Sequence, residues 1–63
     1  MVLWDIEWIG ADGTPVKQQY ELTREAAEHQ AQQWLEEKPG SRVYLYWRRA
    51  VRSVLVQILA GDN

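Results

Sequence analysis

Apolar and polar side chains alternate through the first nine residues. Val2, Trp4, Ile6 and Trp8 fall on one side and Leu3, Asp5, Glu7 and Ile9 on the other, a period of two that predicts a half-buried strand. The run Gly10-Ala11-Asp12-Gly13-Thr14-Pro15 follows. Asp-Gly tolerates the positive φ angles that reverse a chain, so a hairpin is expected. Alternation resumes over 16–22, with Val16, Gln18, Tyr20 and Leu22 sharing one face and Lys17, Gln19 and Glu21 the other. The polarity of this second strand predicts an edge position.

Thr23 then precedes a run of helix formers with Glu25 and Glu28 early in it, where carboxylates meet the positive end of the helix dipole. Thr23 is the expected N-cap. Ala27, Ala31, Trp34 and Leu35, with Ala26 at the margin, make one apolar stripe, while Arg24, Glu25, Glu28, His29, Gln32 and Glu36 fall outside it. Such a helix lies on a sheet, its small alanines admitting Trp4 and Trp8 closely. Lys38-Pro39-Gly40 ends it.

From Arg42 the period is again two, with Val43, Leu45 and Trp47 on one face and Arg42, Tyr44, Tyr46 and Arg48 on the other. The segment Val51 to Ala60 fits both periods. No capping residue precedes it, and no Gly, Asn or Pro lies between Arg48 and Arg52. These absences argue against both a clean helix and a tight hairpin, so a bent or continued strand is expected, with a helix ending at Gly61 as the alternative. The right-handed crossover through the helix places the third strand beside the first. The predicted fold is α+β, a two-layer ββαβ(β) arrangement with an antiparallel sheet in order 2-1-3 and one helix on one face. It forms a single domain over 1–63, with 50–60 as a C-terminal strand extension. Its expected core is Val2, Trp4, Ile6, Trp8, Val16, Tyr20, Leu22, Val43, Leu45 and Trp47 against the helix stripe.

Sixty-three residues allow one core, which excludes a multidomain enzyme, and four Trp and three Tyr are too many for a disordered tail. Cysteine is absent and His29 is the single histidine, so disulfides and thiolate zinc sites are excluded; packing or a partner must supply the stability. With no basic leader and no run of about 20 apolar residues, a soluble, unprocessed, cytoplasmic protein is expected. Residues 1–37 hold two bases against eight acids, and 38–63 hold five bases against Asp62. This split points to a dipolar surface able to steer a partner or a second copy, although the two halves also neutralise each other if they fold side by side.

Candidate chemistry is sparse. Asp5 and Glu7 lie side by side on the sheet face away from the helix, where cross-strand pairing with Arg42 or Arg48 is the ordinary outcome and acid-base catalysis the exceptional one. Ser41 and Ser53 lie in no strained elbow, and Glu25 with His29, one helical turn apart, are two metal ligands without a third. The Gly10–Gly13 loop leads into a strand, so it does not build a phosphate cradle. No enzyme, metal, cofactor, small-molecule substrate or membrane role is expected.

Binding is the better reading. Arg42, Tyr44, Tyr46 and Arg48 form a row, continued by Arg49 and Arg52, and such residues stack on and pair with single-stranded nucleic acid. They are equally the types enriched at protein interfaces, and the acidic total favours a protein. The apolar tail, Val51 to Ala60, is more than one helix and three strands can bury, and with Val54, Val56 and Ile58 as its contact residues it either adds to another chain's sheet edge or folds back as a fourth strand. A protein partner or homo-oligomer is therefore expected, with nucleic acid as the alternative.

The order hairpin, helix, strand, with Gln33-Trp34 late in the helix, the stop Pro39-Gly40 and the arginine-ended strand Val43 to Arg49, resembles short bacteriophage-encoded proteins, among them the small phage inhibitors of bacterial RNA polymerase. The resemblance covers roughly residues 2–50 and is one of architecture. It implies a non-enzymatic binder that occupies a surface of a larger host protein. The longer apolar tail and the lack of an acidic strip on the third strand depart from that pattern.

Overall fold

A computed structural model describes residues 2–48 and 53–60. Strand β1 (Leu3–Ile9) and strand β2 (Pro15–Leu22) form the first hairpin, helix α1 (Arg24–Glu37) crosses over, and strands β3 (Arg42–Arg48) and β4 (Ser53–Ala60) complete the chain. The sheet is antiparallel throughout, in the order β2-β1-β3-β4, with α1 on one face. The α+β architecture and the 2-1-3 core of the sheet are as the pattern predicts.

β4 is the difference. It reverses and pairs along β3 from Arg48 opposite Ser53 to Arg42 opposite Ala60. The expected bent or continued strand is thus a separate fourth strand. Four-residue hairpin connections are commonly built on turns that accept most residue types, so missing Gly, Asn and Pro carry little information. Residues 49–52 themselves lie outside the described residues.

The core lies between α1 and the inner strands. Trp4, Ile6 and Trp8 of β1 and Val43 and Leu45 of β3 are buried beneath Ala27, Ala31 and Trp34, with Leu22, Leu35, Trp47 and Leu59 packed around them. Trp8 and Trp34 stack with centroids 5.2 Å apart and planes 3° from parallel. Cations extend the packing at both ends of the helix. The Arg24 guanidinium stands 5.3 Å over the Trp4 ring and the Lys38 ammonium 5.4 Å over Trp8. The Trp8 indole N–H donates to Ser41 Oγ at 2.9 Å, and Ser41 Oγ donates in turn to the Lys38 carbonyl at 2.6 Å. The loop after the helix is thereby tied to the central strand.

Both ends of α1 follow the sequence signals. Thr23 Oγ1 accepts the Ala26 N–H at 3.2 Å, and Gly40 takes a φ of 89° just beyond the helix, where a side chain would clash with its own backbone. In the β1–β2 turn, Gly13 has a φ of 86° and the Thr14 N–H donates to Asp12 Oδ1 at 3.0 Å. That hydrogen bond holds the Asp12 carboxyl below the usual aspartate range.

Three expected core residues are exposed: Val2, Val16 and Tyr20. For β2 the cause is the pairing. Trp4 lies opposite Leu22 but Ile6 opposite Gln19, so β2 carries one extra residue at Tyr20–Glu21, and Glu21 takes a φ of 60°. A bulge shifts every later residue to the other face. Leu22 therefore remains over the core, while Lys17 and Gln19 share the helix face and Gln18 and Tyr20 turn to the opposite one. A second irregularity beside Ile9 separates Val16 from the core.

Two outcomes test these assignments. Ser41→Ala removes the acceptor of a buried indole N–H and is expected to cost about 1 to 3 kcal/mol in chemical denaturation. Glu21→Gly relieves a side chain held at positive φ and is expected to add about 0.5 to 1 kcal/mol, whereas Glu21→Ala, which keeps the Cβ, gains nothing. An equal gain in both variants would assign the effect to charge and remove the backbone argument.

Candidate functional site

The face of the sheet away from α1 carries the residues that alternation places there on β1 and β3. Register sets them in rows. One row runs Gln18, Glu7, Tyr44, Ile58, and the next runs from the β2 bulge through Asp5 and Tyr46 to Leu55. The face is consequently graded, polar and charged over β2 and β1, aromatic along β3, and aliphatic on β4.

Its charges are engaged locally. Asp5 is buried; its Oδ1 accepts the Glu21 N–H at 3.0 Å and its Oδ2 the Arg48 guanidinium at 2.9 Å. Arg48 also lies 3.8 Å from Glu21 and 6.0 Å over the Tyr20 ring. Glu7 accepts from Gln18 Nε2 at 2.8 Å and from the Tyr46 hydroxyl at 3.3 Å, and the Tyr20 hydroxyl donates to Gln18. Burial, followed by the charge of Glu7 and the hydrogen bond to it, pushes the Tyr46 phenol above the ordinary tyrosine value. Asp5, Ile6, Glu7, Gln18, Tyr20 and Tyr46 border a dip of about 270 Å³, and both acids that line it already have partners within the fold.

Of the residues singled out for partner binding, Tyr44 and Tyr46 come together in the middle of the face, half buried. Arg42 and Arg48 stand at opposite ends of β3, about 20 Å apart at 3.4 Å per residue. The tail residues are divided. Tyr46 lies opposite Leu55 but Leu45 opposite Gln57, so Val56 is an extra residue. Val54, opposite Trp47, thus faces the helix side, Ile58 lies on the open face beside Tyr44, and Val56 sits at the bulge. The three do not share one face. Arg49 and Arg52 lie outside the described residues.

The chain matches no protein-family model, no curated protein and no solved structure. The surface therefore carries the functional argument. Leu55 belongs to the open face and was hidden by the apolar run around it, in which no residue type marks the bulge. Gln18 and Tyr20 also lie on the open face, because the β2 bulge is likewise unmarked by any residue type. Among the described residues no three His, Asp or Glu side chains cluster in a way that could hold a metal ion, and no helix is long and apolar enough to cross a membrane. Glu25 and His29 are exposed on α1.

The Tyr46 environment has a measurable consequence. Its raised pKa means that the folded state holds the phenolic proton more tightly than the unfolded chain. The associated stability is complete below the unfolded tyrosine value near 10 and is lost as pH rises through the folded value. In an ultraviolet phenolate titration, one tyrosine should titrate late, and Glu7→Gln should bring it down. A Glu7→Gln curve identical to wild type would sever Tyr46 from Glu7.

Proposed function

We propose that this chain is a small non-enzymatic protein-interaction module that acts through β3 and β4, either blocking a host protein or joining a second copy of itself. The observation that carries the reading is the continuous band of Tyr44, Tyr46, Leu55 and Ile58. Leu55 is 45% and Ile58 48% exposed, next to rings that are half buried. Aromatic and aliphatic groups joined in this way, with a polar margin at Glu7 and Gln18, have the composition of an interface centre and rim. The resemblance to short phage-encoded binders points the same way and favours a phage or mobile-element source acting inside a host cell's cytoplasm.

A nucleic-acid partner is the weaker alternative. Arg48 is held by Asp5, and Glu7 stands beside Tyr46 on the same face, so a phosphate backbone laid along the tyrosines meets carboxylates. Catalysis has less support still, because Asp5 and Glu7 serve as acceptors for neighbouring strands.

The test is capture by immobilised wild type against Tyr44→Asp and Ile58→Asp, each verified as folded by circular dichroism. Wild type is expected to retain one protein in stoichiometric amount, with at least a tenfold loss in both variants where that protein is foreign and in Ile58→Asp where it is the chain itself. Labelled single strands should give no anisotropy change at low salt. Retention unchanged in both variants, or strand binding with a steep salt dependence, would defeat the proposal.

A further inference from the structure

The two edges of the sheet differ in kind. β2 presents Pro15, Lys17 and Glu21 together with two irregularities, devices that discourage another strand from pairing. β4 has eight residues with neither charge nor proline, and Val54, Leu55, Val56 and Ile58 are all exposed. Nor does the helix cover it. α1 packs over β1, β3 and β2, leaving a groove of about 330 Å³ between Arg24, Glu28, His29 and Gln32 on the helix and Gln57 and Leu59 on β4.

The occupant is indicated by the bulge. Residues directly opposite in an antiparallel ladder share a face. A regular eight-residue strand laid fully along its own copy about a two-fold axis would match first with last and second with seventh. It would thereby oppose residues from different faces at every position. The extra residue at Val56 removes that conflict. Leu55 and Ile58 both lie on the open face, opposite Tyr46 and Tyr44, and Val54 and Leu59 both lie on the helix face, opposite Trp47 and Val43. About an axis between Val56 and Gln57, Leu55 meets Ile58 of the copy and Val54 meets Leu59, over the full strand. Charge agrees with this pairing. An uncharged strand opposes no like charges when it meets itself, and among the described residues Arg48, opposite Ser53 at its start, is paired with Asp5.

Resting on the interaction-module reading, we propose that the partner of β4 is β4 of a second copy, paired antiparallel about that axis, so that two four-stranded sheets join into one of eight strands. The outer edges are then both β2, whose charges and proline stop further addition, and the assembly closes as a dimer.

Sedimentation equilibrium from micromolar to millimolar concentration tests this. The mass is expected to rise from 7.4 kDa towards twice that value. Val56→Lys should keep it at the monomer value with an unchanged circular dichroism spectrum, while Tyr44→Asp should leave the dimer intact. A Leu55→Lys, Ile58→Lys chain and a Leu55→Glu, Ile58→Glu chain should each be monomeric alone and dimeric when mixed. A monomer throughout the range, a dimer dissolved by Tyr44→Asp but not by Val56→Lys, or a mixture that stays monomeric would each overturn the pairing. A monomer that still captures a foreign protein through Tyr44 and Ile58 overturns the dimer alone. One that captures nothing overturns the module as well.

Discussion

The stack of Trp8 on Trp34 fixes where the helix sits, and most of the molecule follows from that position. Two indoles nearly parallel at 5.2 Å centre α1 over β1, and Ala27 and Ala31, both fully buried, let the helix backbone come close enough for the rings to meet. A single helix is about 10 Å across. Four strands about 4.8 Å apart span about 14 Å between their outer axes. A helix centred on β1 therefore covers the inner strands and reaches β4 only at Leu59, leaving Val54, Leu55, Val56 and Ile58 exposed. The exposed apolar edge is a geometric consequence of one helix serving a sheet of four strands.

On the opposite face Asp5 does the comparable work. Its buried carboxylate reaches the Glu21 N–H of β2 with one oxygen and Arg48 of β3 with the other, so the central strand grips both neighbours through a side chain as well as through its backbone. The β2 bulge is what brings the Glu21 N–H within reach. That fixes the bulge, with its unfavourable φ, as part of the sheet's construction. Two carboxylates that look, by spacing, like a catalytic pair are thereby occupied with structure.

β1, β3 and α1 were legible because their patterns are unbroken. The alternation in Val2–Ile9 and Arg42–Arg48, the stripe of Ala27, Ala31 and Trp34, the Thr23 cap and the Pro39-Gly40 stop each correspond to an observed feature. β2 and β4 were legible as edge and apolar segments but not in their faces, since each carries a bulge at residues with no bulge signature. Glu21 is held at positive φ by an acceptor sixteen residues away, and no local propensity records such a contact. Tyr44 and Tyr46 fall where alternation put them, on the open face. At the apolar end the bulge turns Val54 to the helix side and brings Leu55 beside the tyrosines, an exchange that the uniform run of aliphatic residues hides.

The pairing of β1 with β3 also bears on how the chain folds. The other two ladders join neighbouring strands through short connections and can zip locally, whereas Arg48 and Asp5 lie 43 residues apart. Closing that span costs chain entropy before any contact across it repays the loss. Of the three pairings in the sheet, this one therefore carries the largest loop-closure cost, with the helix spanning the gap between its two strands.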